Sequence, residues 1–139
     1  MADITRTRPT TRALEASAWA LVLFQVVHGF TPADTDSEGY VGTVGGLLLL
    51  VATLTAVYGI RTGRPWASAV TGWTGLTVAV GFVLYHALPF KSPVTNPYLG
   101  EPVGAPAWIS VALAIGAGFW CAYVGRAELR RSPLAPSVA

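Results

Sequence analysis

Gln25 and His28 stand three residues apart, a spacing that puts both side chains on one face of a helix. The chain's other histidine, His86, lies far along the sequence. An imidazole pair brought together can ligate haem iron axially or bind a metal such as copper or zinc. The run Asp34-Thr35-Asp36-Ser37-Glu38 follows His28, so Asp34, Asp36 and Glu38 are candidate carboxylate ligands, or groups that orient the imidazoles. That run lacks the full spacing of an EF-hand loop and reads equally as a solvated connection. A second polar set, Lys91, Asn96 and Tyr98, offers amine, amide and phenol groups in one short stretch. Together with Gln25, His28 and His86 it makes a candidate polar pocket. The same stretch also suits a loop folded back on itself. Glu15 is a third kind of candidate, a carboxylate near the start of an apolar run, where it can pair with Arg12 or couple proton or cation movement.

Other chemistry is missing from the pattern. No H-x-x-x-H or C-x-x-C-H pair, Gly-rich phosphate loop, G-x-S-x-G elbow or H-E-x-x-H helix occurs. The single cysteine, Cys121, excludes an intramolecular disulfide and any paired-cysteine redox centre. It reads as a small packing residue. No catalytic residue is assigned, and the chain leans away from an enzyme.

The elements that must position these groups are four apolar stretches, at about 13–30, 41–60, 66–88 and 107–124. The chain is 53% hydrophobic and 12% charged, and the charges sit almost wholly in the tails and connections. A soluble bundle needs a charged face on every helix, and these stretches have none. A membrane span takes roughly 20 mainly apolar residues. The expected fold is therefore an all-α, integral membrane four-helix bundle, threaded up-down-up-down, occupying 13–125 between tails at 1–12 and 126–139. The first tail is expected to be disordered.

The arginines set the expected orientation. Arg6, Arg8, Arg12, Arg61, Arg64, Arg126, Arg130 and Arg131 all fall on one side of such a path. The other side receives Lys91 with Asp34, Asp36, Glu38 and Glu101. Lys- and Arg-rich short loops stay in the cytoplasm, so both termini are expected there, in a plasma (inner) membrane protein. This account of the positive charge leaves no role for nucleic acid. Gly29-Phe30-Thr31-Pro32 offers no signal-peptidase site, so the first helix is expected to be retained. Four helices with a glutamate in the first resemble the small multidrug exporters in outline, which implies a coupling role for Glu15. The strong charge bias and the long Pro89–Pro106 connection depart from that family's pattern.

Small residues mark expected packing faces, because lipid supplies no hydrophobic drive for helix pairing. Helix four carries Ser110, Ala114 and Gly118 at four-residue spacing, helix three carries Gly72 and Gly75, and helix two carries Gly42 and Gly46 as a GxxxG pair. One such stripe can also serve a homo-oligomer or a larger membrane complex. Gly63 suits a helix stop and Pro65 the first turn of the next helix. The reading that follows is a small multi-pass membrane protein, a non-enzymatic subunit or binding module with its site on the outer face. The alternatives are a haem or metal redox protein at His28 and His86, and an oligomeric small-solute transporter.

Overall fold

A computed structural model describes residues 9–32, 40–92 and 95–131, with side chains from residue 12 onward and, in the second helix, from residue 42. It is all-helical: α1 (Pro9–Phe30), α2 (Tyr40–Arg61), α3 (Ala67–His86) and α4 (Ala105–Arg131). All four are long and apolar enough to cross a membrane. Large hydrophobics lie on the outside, with Leu48 66%, Trp73 65% and Tyr123 74% exposed. Such a surface is costly in water and ordinary in hydrocarbon. Four apolar helices of this kind fit a small membrane protein.

Two helices are longer than their apolar runs. α1 begins at Pro9, not at residue 13, so residues 9–12 are helix rather than disordered tail. Proline suits a first helical position because its missing N–H has no intrahelical partner there. α4 continues from residue 124 to Arg131, through residues that favour helix outside hydrocarbon as well as within it. Residues 1–8 and 132–139 lie outside the described set.

The helices form a ring in which α1 touches α2 and α4, α3 touches α2 and α4, and α1 meets α3 across the diagonal. Neighbours pair antiparallel: Glu15 reaches Arg61 and Gln25 reaches Thr53 between α1 and α2, and His28 reaches Ser110 between α1 and α4. One end of the bundle therefore carries Arg12, Arg61, Arg64 and the arginines of α4. The other carries His28, His86 and the 87–104 connection.

The α3–α4 seam is the tightest contact. A Cβ at Gly75 would lie 2.6 Å from the Gly118 carbonyl oxygen, and one at Gly118 would lie 2.7 Å from the Gly75 oxygen. A Cβ at Gly125 would lie 2.6 Å from the Gly72 nitrogen. Only glycine allows backbones so close. Ala114 is fully buried in the same helix, and Cys121 packs against Gly75. Gly42 and Gly46 behave differently from their expected packing role. Gly42 takes the ring of Tyr85, while Gly46 faces open space and joins no helix-helix seam. Spacing reports which face a glycine occupies, not what stands opposite it.

Hydroxyls inside the helices bond back to the preceding turn: Ser17 to Leu14 O at 2.9 Å, Thr53 to Leu49 O and Thr71 to Ala67 O at 2.8 Å. α2 ends in a left-handed cap. Gly63 has φ +63°, Gly63 N–H bonds Ile60 O and Arg64 N–H bonds Gly59 O. That 5→2 and 6→1 pair is the Schellman arrangement.

Candidate functional site

The 87–104 connection folds back onto the end of α3. Asn96 N–H donates to Tyr85 O at 2.8 Å and Tyr98 N–H donates to His86 O at 2.9 Å, so the loop caps carbonyls the helix leaves open. The Ser92 and Thr95 hydroxyls bond each other at 2.8 Å. Thr95, Asn96 and Tyr98 are buried. The proline-rich stretch is thus a fitted plug at this end of the bundle. Asn96 and Tyr98 belong to it and are not among the residues lining the cavity between α1, α2 and α3, while Lys91 is exposed on the same loop.

Beneath the plug the two histidines meet. Their ring centroids are 5.1 Å apart, edge to face. Phe82 touches His28 at 4.8 Å, and Tyr98 lies 4.3 Å from His86 and 5.4 Å from Trp108. An aromatic chain therefore runs from α1 through α3 and the loop to α4. Geometry assigns the imidazole protons. The Ser110 hydroxyl donates to Ala107 O at 2.8 Å and lies 3.0 Å from His28 Nδ1. With one hydroxyl hydrogen, both contacts hold together only if His28 Nδ1–H is the donor to Ser110. His86 Nδ1 lies 3.1 Å from the Asn96 carbonyl oxygen, which only accepts. As neutral rings, both histidines carry their hydrogen on Nδ1 and a lone pair on Nε2.

Edge contact leaves no macrocycle-wide gap between the rings, so axial ligation of one haem iron by both would require them to part. Among the described residues no three His, Cys, Asp or Glu side chains gather as a metal cluster. Asp34, Asp36 and Glu38 lie outside the described residues.

Beside the histidines lies a cavity of about 460 Å³ between α1, α2 and α3. Gln25, His28 and His86 line it. Apart from Thr43 and Tyr85, its remaining wall is apolar or bare: Phe82 and Leu49 inside, and glycines 29, 42, 45, 46 and 81 around it. Gly29, Gly45, Gly46 and Gly81 have nothing within 4 Å of an added Cβ. The space exists because α2 opens with glycines where a bundle helix would carry leucines. Its rim includes Val26, Phe30 and Leu47, all exposed on the outer surface, so it opens sideways between α1 and α2. Of these lining residues, sequence reasoning placed Gly42 and Gly46 in helix packing instead, and assigned no site role to Gly45, Phe82 and Tyr85.

Gln25 is the polar centre of this cavity wall and is 8% exposed. Its Nε2 donates to Thr53 Oγ1 at 2.8 Å and to Leu21 O at 3.4 Å. Thr53 spends its own hydrogen on Leu49 O. An amide oxygen in the Nε2 position would face the Leu21 carbonyl, which favours the orientation with Nε2 toward Thr53. Gln25 Oε1 is then buried with no hydrogen-bond partner among the described residues. Leaving such an acceptor unmatched costs about 1–3 kcal/mol.

Glu15 sits at the opposite end of the bundle. Its Oε1 accepts from Arg61 Nε at 2.9 Å, a link to the neighbouring helix, and the Arg61 guanidinium lies 5.4 Å from the Trp19 ring centre. The pair is partly exposed, at 62% and 35%, and such pairs contribute at most about 1 kcal/mol. Ten residues of helix, about 15 Å, separate Glu15 from Gln25.

Comparison with known protein families, curated proteins and solved structures finds no match.

Proposed function

We infer that this protein is a membrane-embedded binding module that takes up a lipid-soluble small molecule from the side, into the cavity beside Gln25. The observation that carries the reading is the largely apolar cavity of about 460 Å³, walled by glycines with open space beside them and with Gln25, His28 and His86 in its lining. A few placed polar groups in an apolar cleft of 300–1,000 Å³ are the usual features of a small-molecule site. The lateral opening between Val26, Phe30 and Leu47 supports entry from lipid rather than from water. The described lining residues suit holding a molecule, so the reading is binding.

The arginine distribution supports an orientation with both termini in the cytoplasm of a plasma membrane protein. The cavity then lies in the outer leaflet, beneath the 87–104 plug. The outer-face site is thus the groove under the loop, not the loop's polar side chains.

The test is native mass spectrometry from mild detergent. Wild-type protein is expected to carry a small adduct released on activation. Gly46→Leu places a side chain in open cavity space without touching a helix seam, and is expected to reduce adduct occupancy at least about tenfold. Equal occupancy in the two proteins contradicts the reading. A partner chain seated in the groove would appear as a co-purifying protein. A haem or metal ion held at His28 and His86 would appear as its own mass.

A further inference from the structure

We propose a second site, separate from the cavity beside Gln25: the groove between α3 and α4 at the arginine end of the bundle holds a phospholipid of net negative charge, its phosphate on the Arg126 guanidinium and an acyl chain along the groove. The groove encloses about 430 Å³. Its α4 wall includes Phe119, Tyr123 and Arg126, and its α3 wall includes Gly72, Trp73 and Leu76. Lining positions 119, 122, 123, 126 and 129 recur at helical spacing, as do 69, 72, 73 and 76, so each helix gives one continuous face. The lining comes from these two helices alone, and Trp73, Phe119 and Tyr123 are exposed, so the groove opens outward from the bundle. Arg126 is the only charged residue in the described lining.

The depth of Arg126 calls for an anion. Gly125 abuts Gly72, the sixth residue of α3. Five residues of helical rise therefore place Arg126 about 7.5 Å inside the start of α3. An arginine so far along a spanning helix is costly unless its side chain is paired or reaches the interface. Arg61 has Glu15, and Arg130 and Arg131 stand in the last turn of α4. Arg126 is exposed and has no carboxylate partner among the described residues. Phosphate is the anion a phospholipid leaflet supplies near this level, and the guanidinium fork matches its oxygens. Past Arg126 the groove runs between Trp73 and Tyr123 to Leu76 and Phe119, an apolar track that fits an acyl chain. Charge selects the head group. Arg130, four residues on, stands over the same face of α4 and adds to the positive field. A head group that carries its own ammonium offsets its phosphate and is repelled there, whereas one without it is drawn in.

The experiment titrates full-length protein in mild detergent with phosphatidylglycerol and with phosphatidylcholine of identical acyl chains, and reads each adduct by native mass spectrometry. Wild-type protein is expected to bind phosphatidylglycerol about fivefold more tightly, the value of one basic residue at an anionic surface. Arg126→Gln keeps a polar side chain, removes the charge, and is expected to bring that ratio close to one. Arg131→Gln removes the same charge outside the groove and is expected to preserve the preference. Trp73→Ala, at an exposed groove wall, is expected to weaken binding of both lipids. Gly46→Leu, in the other cavity, is expected to change neither affinity. Equal wild-type binding of the two lipids overturns the proposal. A preference lost as much in Arg131→Gln as in Arg126→Gln overturns the site and leaves diffuse attraction to the arginine end. Unchanged binding in Trp73→Ala, or displacement of the lipid by glycerol phosphate alone, overturns the placing of the chain. Loss of phosphatidylglycerol in Gly46→Leu puts the lipid beside Gln25 and overturns this site while supporting the cavity reading.

Discussion

Gly118→Leu is expected to lower the unfolding temperature in detergent by roughly 10 °C or more, from a loss of about 3 kcal/mol. Even the first carbon of the new side chain would lie 2.7 Å from the Gly75 carbonyl oxygen and 3.0 Å from both the backbone nitrogen and Cβ of Ala79. These are largely backbone neighbours with no rotamer to change, so α3 and α4 must part. Parting them pulls apart the cluster of Leu21, Val78, Ala117 and Cys121 that joins α1 to the pair. Circular dichroism or intrinsic fluorescence during a thermal ramp measures the loss. The control is Gly45→Ala, whose methyl group enters open space and whose helix propensity improves. It should melt at or slightly above the wild-type temperature. If both variants melt alike, the close seam does not hold the bundle.

Tyr98→Ala is expected to cost about 3–5 kcal/mol, the range for deleting a buried aromatic ring. The Tyr98 ring is only 2% exposed and stands between His86 and Trp108. Removing it opens a hole under the plug and frees the loop from α4, which weakens the caps on Tyr85 O and His86 O. Hydrogen exchange should then rise first at the amides of Asn96 and Tyr98's replacement, before that of α3 as a whole. Tyr98→Phe keeps the stacking ring and should lose far less. Leu99→Ala, at an exposed neighbour, should stay within about 0.5 kcal/mol of wild type.

Much of this architecture is legible without coordinates, because apolarity and breakers carry it. The Arg61–Pro65 turn announces itself through Gly63, which adopts φ +63°. The meeting of the histidines at one end of the bundle follows the same logic: α1 and α3 run in the same direction, and His28 and His86 lie in their last turns. The helix ends are less legible. An apolar run measures the stretch that suits hydrocarbon, and helix continues past it from Gly125 to Arg131 and before it from Pro9 to Arg12. The cavity was hidden for a related reason. Gly42 and Gly46 have the same spacing as Ser110, Ala114 and Gly118, yet Gly118 meets backbone and Gly46 meets space. Asn96 and Tyr98 were legible as polar groups near the mouth but not as the inner side of a plug, since their burial depends on the backbone bonds to Tyr85 and His86. The Gln25 acceptor could not be read at all, because it depends on the bonds that Thr53 and Leu21 make with the other end of the amide.

The central claim is that a lipid-soluble molecule occupies the glycine-walled space between α1, α2 and α3. Photolabelling the protein in lipid bilayers with a diazirine-bearing geranylgeraniol, followed by peptide mapping, tests it most directly. The account predicts label concentrated on 25–30, 42–50 and 81–86, displaced by excess unlabelled alcohol and lost in Gly46→Leu. Label spread evenly over lipid-facing positions such as Leu48, Trp73 and Tyr123, with no displacement by excess alcohol, would contradict it.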